Sequence, residues 1–366
     1  MTTDALALAQ ALVRLDTAGP APQERAAVAL LAPLLEAGGF AVSLHEMAPG
    51  RPSLVARHAG DGGAPLVLSG HLDTVPVGAV PWRRPPFAGT VAAGRLHGRG
   101  STDMKAGVAA LVTAALAHAA AGGRRPLALV LTAGEETGCL GAAHLARIGA
   151  LPPASGILVA EPTRNAVGVG HRGALWLEAA YAGVAAHGAT PHLGQNAIYA
   201  AAEGIGRCRG ESLAGDEDPL LGAVTLNVGT VRGGINVNSV PDSAAFTLDL
   251  RTTVPGSHAD ITARFAALLG PEARLSTLLD LPAVRTEADA PAVRAALAAA
   301  AAAGVADPSP RAVPFFTDAS VLVPACGADA VILGPGDPAL AHQTDESCDV
   351  AEIAAAVAIY GRLLAA

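Results

Sequence analysis

Three short apolar runs, Leu66–Leu68, Leu127–Thr132 and Ile157–Ala160, each stop abruptly and pass the chain to residues that bind metals or move protons. The first leads into Ser69-Gly70-His71-Leu72-Asp73-Thr74-Val75-Pro76, the second into Gly134-Glu135-Glu136, the third into Glu161-Pro162. Apolar runs this short, bounded by Gly and Pro, read as buried strands, whereas the Met104–Ala121 stretch between the first two reads as a helix. Strands alternating with helices imply an α/β fold with a mainly parallel sheet flanked by helices. In such sheets ligands gather beyond the carboxyl ends of the strands. His71, Glu135, Glu136 and Glu161 are all expected there.

The rest of the chain divides around that core. Helices are expected at Asp4–Leu15 and Pro22–Ala37, the latter with Pro22 in its first turn and Gly38-Gly39 closing it. Short strands follow at Ala41–Leu44 and Ser53–Arg57. The proline-dense Pro81–Phe87 segment reads as a loop, because prolines at this density cannot sit inside a sheet. Asp103 stands where the Gly98–Thr102 turn enters the Met104–Ala121 helix. From Arg172 the rhythm changes. Leu175–Ala179, Val224–Val228 and Ala244–Leu250 read as strands of one sheet, with helices at Asn196–Cys208 and His258–Leu269. Residues 172–282 are therefore expected to form an α+β domain inserted into one built from residues 1–171 and 283–366. That outer domain resumes with a helix at Pro291–Ala303, a strand at Ala330–Leu333, a loop to His342 and a closing helix at Ala351–Leu364.

Composition excludes several classes. The chain has 366 residues, enough for two domains with buried cores. Its mean hydropathy of +0.40 raises the question of a membrane span. The strongest candidate, Ala106–Gly123, is mostly Ala and Gly and carries Thr113 and His118, whereas a span needs roughly 20 strongly apolar residues. No basic segment precedes an apolar core at the N-terminus, so no signal peptide is expected. The 4 cysteines, Cys139, Cys208, Cys326 and Cys348, form no CxxC pair, as in a reduced cytoplasmic protein. A net charge of −8 without basic clusters argues against nucleic acid as a partner.

The chemistry lies in His71, Asp103, Glu136, Glu161 and His342. Two imidazoles and three carboxylates suit two divalent ions, zinc first, with cobalt or manganese also accommodated. Five ligands serve two ions if one carboxylate bridges, with the ions about 3.5–4 Å apart. Glu135, beside the ligand Glu136, is the candidate general base. Asp73 is read as the carboxylate that accepts the ring N–H of His71 and sets its tautomer. Each residue alone is ordinary, since a histidine after a strand is commonly structural and a Glu-Glu pair is commonly a solvated turn. Five ligand-type residues at loop positions facing one crevice are not ordinary. Gly168-Val169-Gly170-His171-Arg172-Gly173 satisfies the dinucleotide-binding pattern GxGxxG, but a strand-like stretch follows it where that motif needs a helix, so the match is set aside.

These segments resemble the M20 peptidase family, a group of zinc amidohydrolases that includes acetylornithine deacetylases and succinyl-diaminopimelate desuccinylases. The resemblance is carried by SGHLDTVP (69–76), GRGSTDMKAG (98–107), TAGEETG (132–138), AEPT (160–163), GVAAHGATPHLGQNAI (183–198), GGINVNSVP (233–241), LDLR (248–251) and AHQTDE (341–346). It implies that His71 and Glu161 hold one metal, Glu136 and His342 the other, and Asp103 bridges, with a cis peptide bond after Asp103. It implies a homodimer formed through the inserted domain, with His187 reaching the partner's site to stabilise the oxyanion. Arg251, with Asn238, is expected to hold a substrate carboxylate, and Gly336 to touch substrate through its backbone. His192 is left as a surface residue. The expected reaction is removal of an N-acyl group from an amino acid, with metal-bound hydroxide attacking the amide carbonyl and Glu135 as general base. A metallo-dipeptidase or carboxypeptidase, or a non-catalytic metal-binding module, stands as the alternative.

Overall fold

The computed structural model describes residues 4–18, 23–211, 217–253 and 258–365. The chain separates into two compact units, one running to Gly170 and resuming over Arg285–Val313 and from Thr317 onward, the other comprising His171–Val284 and Pro314–Phe316.

In the first unit the strands Leu127–Thr132, Leu66–His71, Gly156–Val159 and Ala330–Ile332 lie side by side in that order. All neighbouring pairs among these four are parallel. The α/β class and the central parallel sheet are thus as expected. At one edge Pro52–His58 and Ala41–Glu46 add antiparallel strands, so the sheet is mixed. The central strands are buried along their whole lengths, which is why their sequences read as continuous apolar runs rather than alternating ones. Register aligns His71 with Thr132 and Ser69 with Val159. The three carboxyl ends therefore finish at nearly the same level.

The helix Lys105–Ala120 is buried at every position from Lys105 to Ala115 and packs against Leu66–His71 and against the helices Ala5–Val13 and Val350–Ala365. A helix enclosed on so many sides needs small side chains. At Gly107 even a methyl group would stand 2.2 Å from the carbonyl oxygen of Ala160, and this close approach draws the start of the helix to the residue preceding Glu161. No helix among the described residues is long and apolar enough to cross a membrane. The second predicted helix spans Arg25–Ala37, and its proposed first-turn residue Pro22 lies outside the described residues.

The second unit is a four-stranded antiparallel sheet in the order Thr225–Gly233, Ser243–Thr252, Gly173–Ala182, Ala273–Leu281. Burial alternates along Gly173–Ala182 and Ser243–Thr252, so one face packs on the helices Ala197–Arg209 and His258–Leu269 around Leu177, Phe246, Leu248 and Phe265. Asn196 caps the first of these helices by accepting the Ile198 N–H. The sequence reading missed the strand Ala273–Leu281, whose mostly exposed residues give no clear apolar pattern. It also missed the short helices Leu140–Arg147 and Ala319–Cys326. Gly168–His171 and Gly173–Ala182 are successive strands, so the GxGxxG segment has no following helix to bind a pyrophosphate.

Candidate metal centre

Beyond the carboxyl ends of the parallel strands the structure brings together His71, Asp103, Glu136, Glu161 and His342. They form two triads, His71/Asp103/Glu161 and Asp103/Glu136/His342, and within each triad the donor atoms lie within 4.8 Å of one another. Asp103 belongs to both. Its Oδ1 is 3.0 Å from His71 Nε2, and its Oδ2 is 3.4 Å from His342 Nε2. Glu136 Oε2 is 3.0 Å from His342 Nε2, and Glu161 Oε1 is 3.8 Å from His71 Nε2. The peptide bond between Asp103 and Met104 is cis. His342 sits in the left-handed region at φ 64°, uncommon for a residue with a side chain, and aims its ring from a surface loop.

His71 is 1% exposed. Its Nδ1–H is donated to the backbone carbonyl of Asp73 at 2.9 Å, which turns Nε2 toward the carboxylates. The Asp73 carboxylate is not the orienting acceptor expected from sequence, since its Oδ1 stands 3.7 Å from that nitrogen. Instead it accepts the N–H groups of Glu135 at 3.1 Å and Glu136 at 3.2 Å. The reason is local. Asp73 turns back beneath the loop after Leu127–Thr132, where two successive amides need an acceptor, and its own carbonyl is the nearer partner for the ring. Asp73 thus fixes the backbone of Glu135 and Glu136 together.

Electrostatics test whether these residues fit metal ions. Burial pushes the Glu161 carboxyl well above the usual carboxylate range, and the Asp103 charge pushes it further. Hydrogen bonds to Asp103 and Glu136 raise His342 to about 10. Against the cost of burial, His342 and His71 hold Asp103 below the ordinary range. Three carboxylates converging from separate segments repel one another unless positive charge lies between them, which protons on the two imidazoles or bound divalent ions supply. The donor set, hard oxygens with two imidazole nitrogens, fits divalent ions of the zinc kind.

Glu135, 5% exposed, faces the same cluster. Burial moves its carboxyl well above the usual range, with Glu161 and Glu136 adding to the effect against the opposing pull of His71. Behind it lie residues the sequence reading did not single out. Cys139 directs its thiol to Glu135 Oε1 at 3.9 Å. Asp318, 2% exposed, accepts the hydroxyl proton of Thr132 at the end of the central strand. Burial pushes Asp318 up to about 6. A short helix predicted at Ala319 would have drawn attention to Asp318 as its cap. Gly336 donates its N–H to Glu352 Oε2 at 2.8 Å, so the amide expected to meet substrate is already engaged. An apolar cleft of about 580 Å³ lined by Arg57, His58, Pro65, Pro126 and Pro152 opens at the opposite, amino-terminal ends of the strands.

The second unit holds the remaining candidates. His187 is exposed and forms an isolated bridge with Ser239, and the carbonyl of Asn238 accepts the Gly188 N–H at 2.8 Å. The structure therefore brings His187 and Asn238 together. Arg251 lies near the far end of the strand that begins at Ser243, about 26 Å along it at 3.3 Å per residue. Its guanidinium makes a two-point pair with Asp249, Nε to Oδ1 at 3.0 Å and Nη2 to Oδ2 at 3.1 Å. Arg251 and Asn238 thus do not meet within one inserted unit. His192 is exposed.

Two imidazoles, a shared aspartate and buried glutamates gathered beyond the carboxyl ends of the parallel strands make a candidate centre for divalent ions. The sequence signature of peptidase family M20/M25/M40 matches residues 67–366, and the chain belongs to that family. It is 32% identical over 354 residues to an acetylornithine deacetylase of Myxococcus xanthus, covering 90% of this chain and 89% of that protein. A probable succinyl-diaminopimelate desuccinylase of Staphylococcus aureus is 29% identical over 343 residues, covering 81% of this chain and 83% of the relative. An M20 family metallo-carboxypeptidase of Sulfolobus solfataricus shares the fold, with a TM-score of 0.82 over 99% of both chains at 18% identity.

Proposed function

We propose that the chain is a cytoplasmic, homodimeric hydrolase that removes an N-acyl group from an N-acyl amino acid, using two divalent ions, zinc by preference. The observation that carries this reading is Asp103, whose two carboxylate oxygens serve two separate ligand triads beside a buried glutamate. His71 and Glu161 would hold one ion, Glu136 and His342 the other, and Asp103 both. Such a pair supplies a Lewis acid for the amide carbonyl and lowers the pKa of bound water toward about 7.

Glu135 accepts the proton of the attacking water and returns it to the leaving amine. A carboxyl whose pKa burial has raised is a stronger base than an exposed one. Asp73 holds the backbone of Glu135 and Glu136, so base and ligand keep a fixed spacing. Arg251 binds the substrate carboxylate through N–H groups left over from its pairing with Asp249. His187 of the partner subunit, with Asn238 beside it, donates to the oxyanion. Dimerisation through the inserted unit is supported by its exposed apolar residues, Val231 at 65%, Ile235 at 90% and Val237 at 104%.

The test is Glu135→Ala on protein of known metal content. The expected outcome is unchanged metal stoichiometry with kcat lowered by about 10²–10⁴-fold, the range of a lost proton-transfer group. Near-normal turnover would remove Glu135 from the reaction. A panel of N-acetyl amino acids, N-succinyl amino acids and dipeptides separates the deacylase from a dipeptidase built on the same centre.

A further inference from the structure

Glu346 lies four residues past His342 and is 0% exposed, and its carboxylate is surrounded by donors from the loop that carries Asp103. Oε1 accepts the N–H groups of Thr102 at 2.7 Å and Asp103 at 3.0 Å. Oε2 accepts the Gly100 N–H at 3.0 Å and pairs with Arg99 Nη1 at 2.6 Å. Arg99, 2% exposed, turns its other amino group to two more loops, reaching the carbonyl of Pro76 at 3.2 Å and that of His342 at 3.4 Å. Its guanidinium lies 5.2 Å from the ring centroid of Trp82. The pair therefore ties together three segments, those bearing His71, Asp103 and His342, that are far apart in sequence.

We propose that the buried Arg99–Glu346 pair is the positioning device of the metal centre: it fixes the Asp103 loop against the His342 loop so that one carboxylate reaches both triads. This inference rests on the two-ion reading above. The physical reason is that Asp103 has no helix or strand to hold its backbone, since the Lys105–Ala120 helix starts two residues later. Its N–H, and those of Thr102 and Gly100, are pinned to one carboxylate. Charge-assisted bonds of this kind are shorter and stronger than neutral ones. The same carboxylate, through Arg99, holds the main chain of His342. Neither residue touches a ligand side chain, so both act through backbone alone. An isosteric Glu346→Gln change exposes the design, because either orientation of the amide places an NH₂ group against two N–H donors.

The experiment is titration of the chelator-stripped full chain with Zn²⁺ by calorimetry and with Co²⁺ by its visible spectrum. Wild-type protein is expected to bind two ions per chain. Glu346→Gln is expected to remain folded by circular dichroism, to bind about 10–100-fold more weakly, as lost outer contacts to metal ligands typically do, and to show an altered cobalt spectrum. The double variant Glu346→Gln/Arg99→Met, which leaves no uncompensated buried cation, keeps the test open should the single variant unfold, and the same weakening is expected of it. A folded variant that binds both ions with wild-type affinity and spectrum overturns the inference. Wild-type protein that binds no ion would instead overturn the two-ion reading on which it rests.

Discussion

The two units hold their candidate residues in opposite ways. In the first, His71, Glu135, Glu161 and Asp73 are buried, and His71 and Asp73 are fixed by hydrogen bonds within the same chain. In the second, His187 and Asn238 are exposed, joined to each other only through backbone contacts, and Arg251 sits at the other end of its strand. Buried polar groups need several partners to offset the loss of water, so the first set is locked into one geometry before any ligand arrives. Exposed residues bear no such cost and contribute little to folding. The contrast separates a preorganised reaction centre from residues whose work, on the reading proposed here, is completed by a second copy of the chain.

The largest effect that could break this contrast is at His187. His187→Ala is expected to leave thermal stability unchanged within about 0.5 kcal/mol, as for an exposed surface site. Its kcat should fall by about 10²–10³-fold, the cost of one oxyanion donor. Mixing His187→Ala with Glu135→Ala chains should restore part of the activity, because one site in the mixed dimer then has both groups intact. Full activity of His187→Ala alone would remove His187 from the reaction, and no recovery on mixing would count against a site shared between two chains.

Asp73→Ala should behave in the opposite manner. It strips the acceptor from two neighbouring amides and leaves the His71 ring bond untouched, since that bond uses a main-chain carbonyl. Metal affinity measured by calorimetry is expected to drop about 10–100-fold. Stability, followed by thermal melting, should fall by about 1.5–3 kcal/mol, as for hydrogen bonds to a charged group. If the variant melts like wild type, the buried loop is not held as described.

The smallest expected effect concerns His171, buried where the second unit begins, with no hydrogen-bond partner for Nε2 among the described residues. Burial lowers its pKa to about 4, and its Nδ1 bond to the Arg172 carbonyl offsets this only in part. The unfolded imidazole takes up a proton near pH 6.5, whereas the folded one resists it until about pH 4. The stability it contributes is therefore complete above pH 6.5 and is lost as pH falls toward 4. Between pH 7 and 5 that loss is about 2 kcal/mol. His171→Gln should remove this part of the pH dependence of melting, and an unchanged dependence would show that His171 does not titrate in this way.

Much of the site was legible because its signals are local. An apolar run punctuated by glycine places His71, Glu136 and Glu161 at strand ends whatever the rest of the chain does, and a turn before a helix does the same for Asp103. The pairing of Asp249 with Arg251 was open to the same reasoning, since residues two apart on a strand share a face. Other features leave no such trace. Asp73, Asp318 and Glu346 are ordinary acidic residues in sequence, and each takes its role from a partner dozens to hundreds of positions away.

The amino-acid order alone determined the alternation of strand and helix, the change of rhythm near Arg172 and the residues that converge as candidate metal ligands, because hydrophobic period and turn chemistry act over a few residues. Only the tertiary structure decided which acceptor orients His71, which carboxylate pins the Asp103 loop, and that Arg251 and Asn238 stand at opposite ends of one sheet. Those choices depend on which buried donors are left without water once distant segments pack, and that competition is settled only when the whole chain has closed.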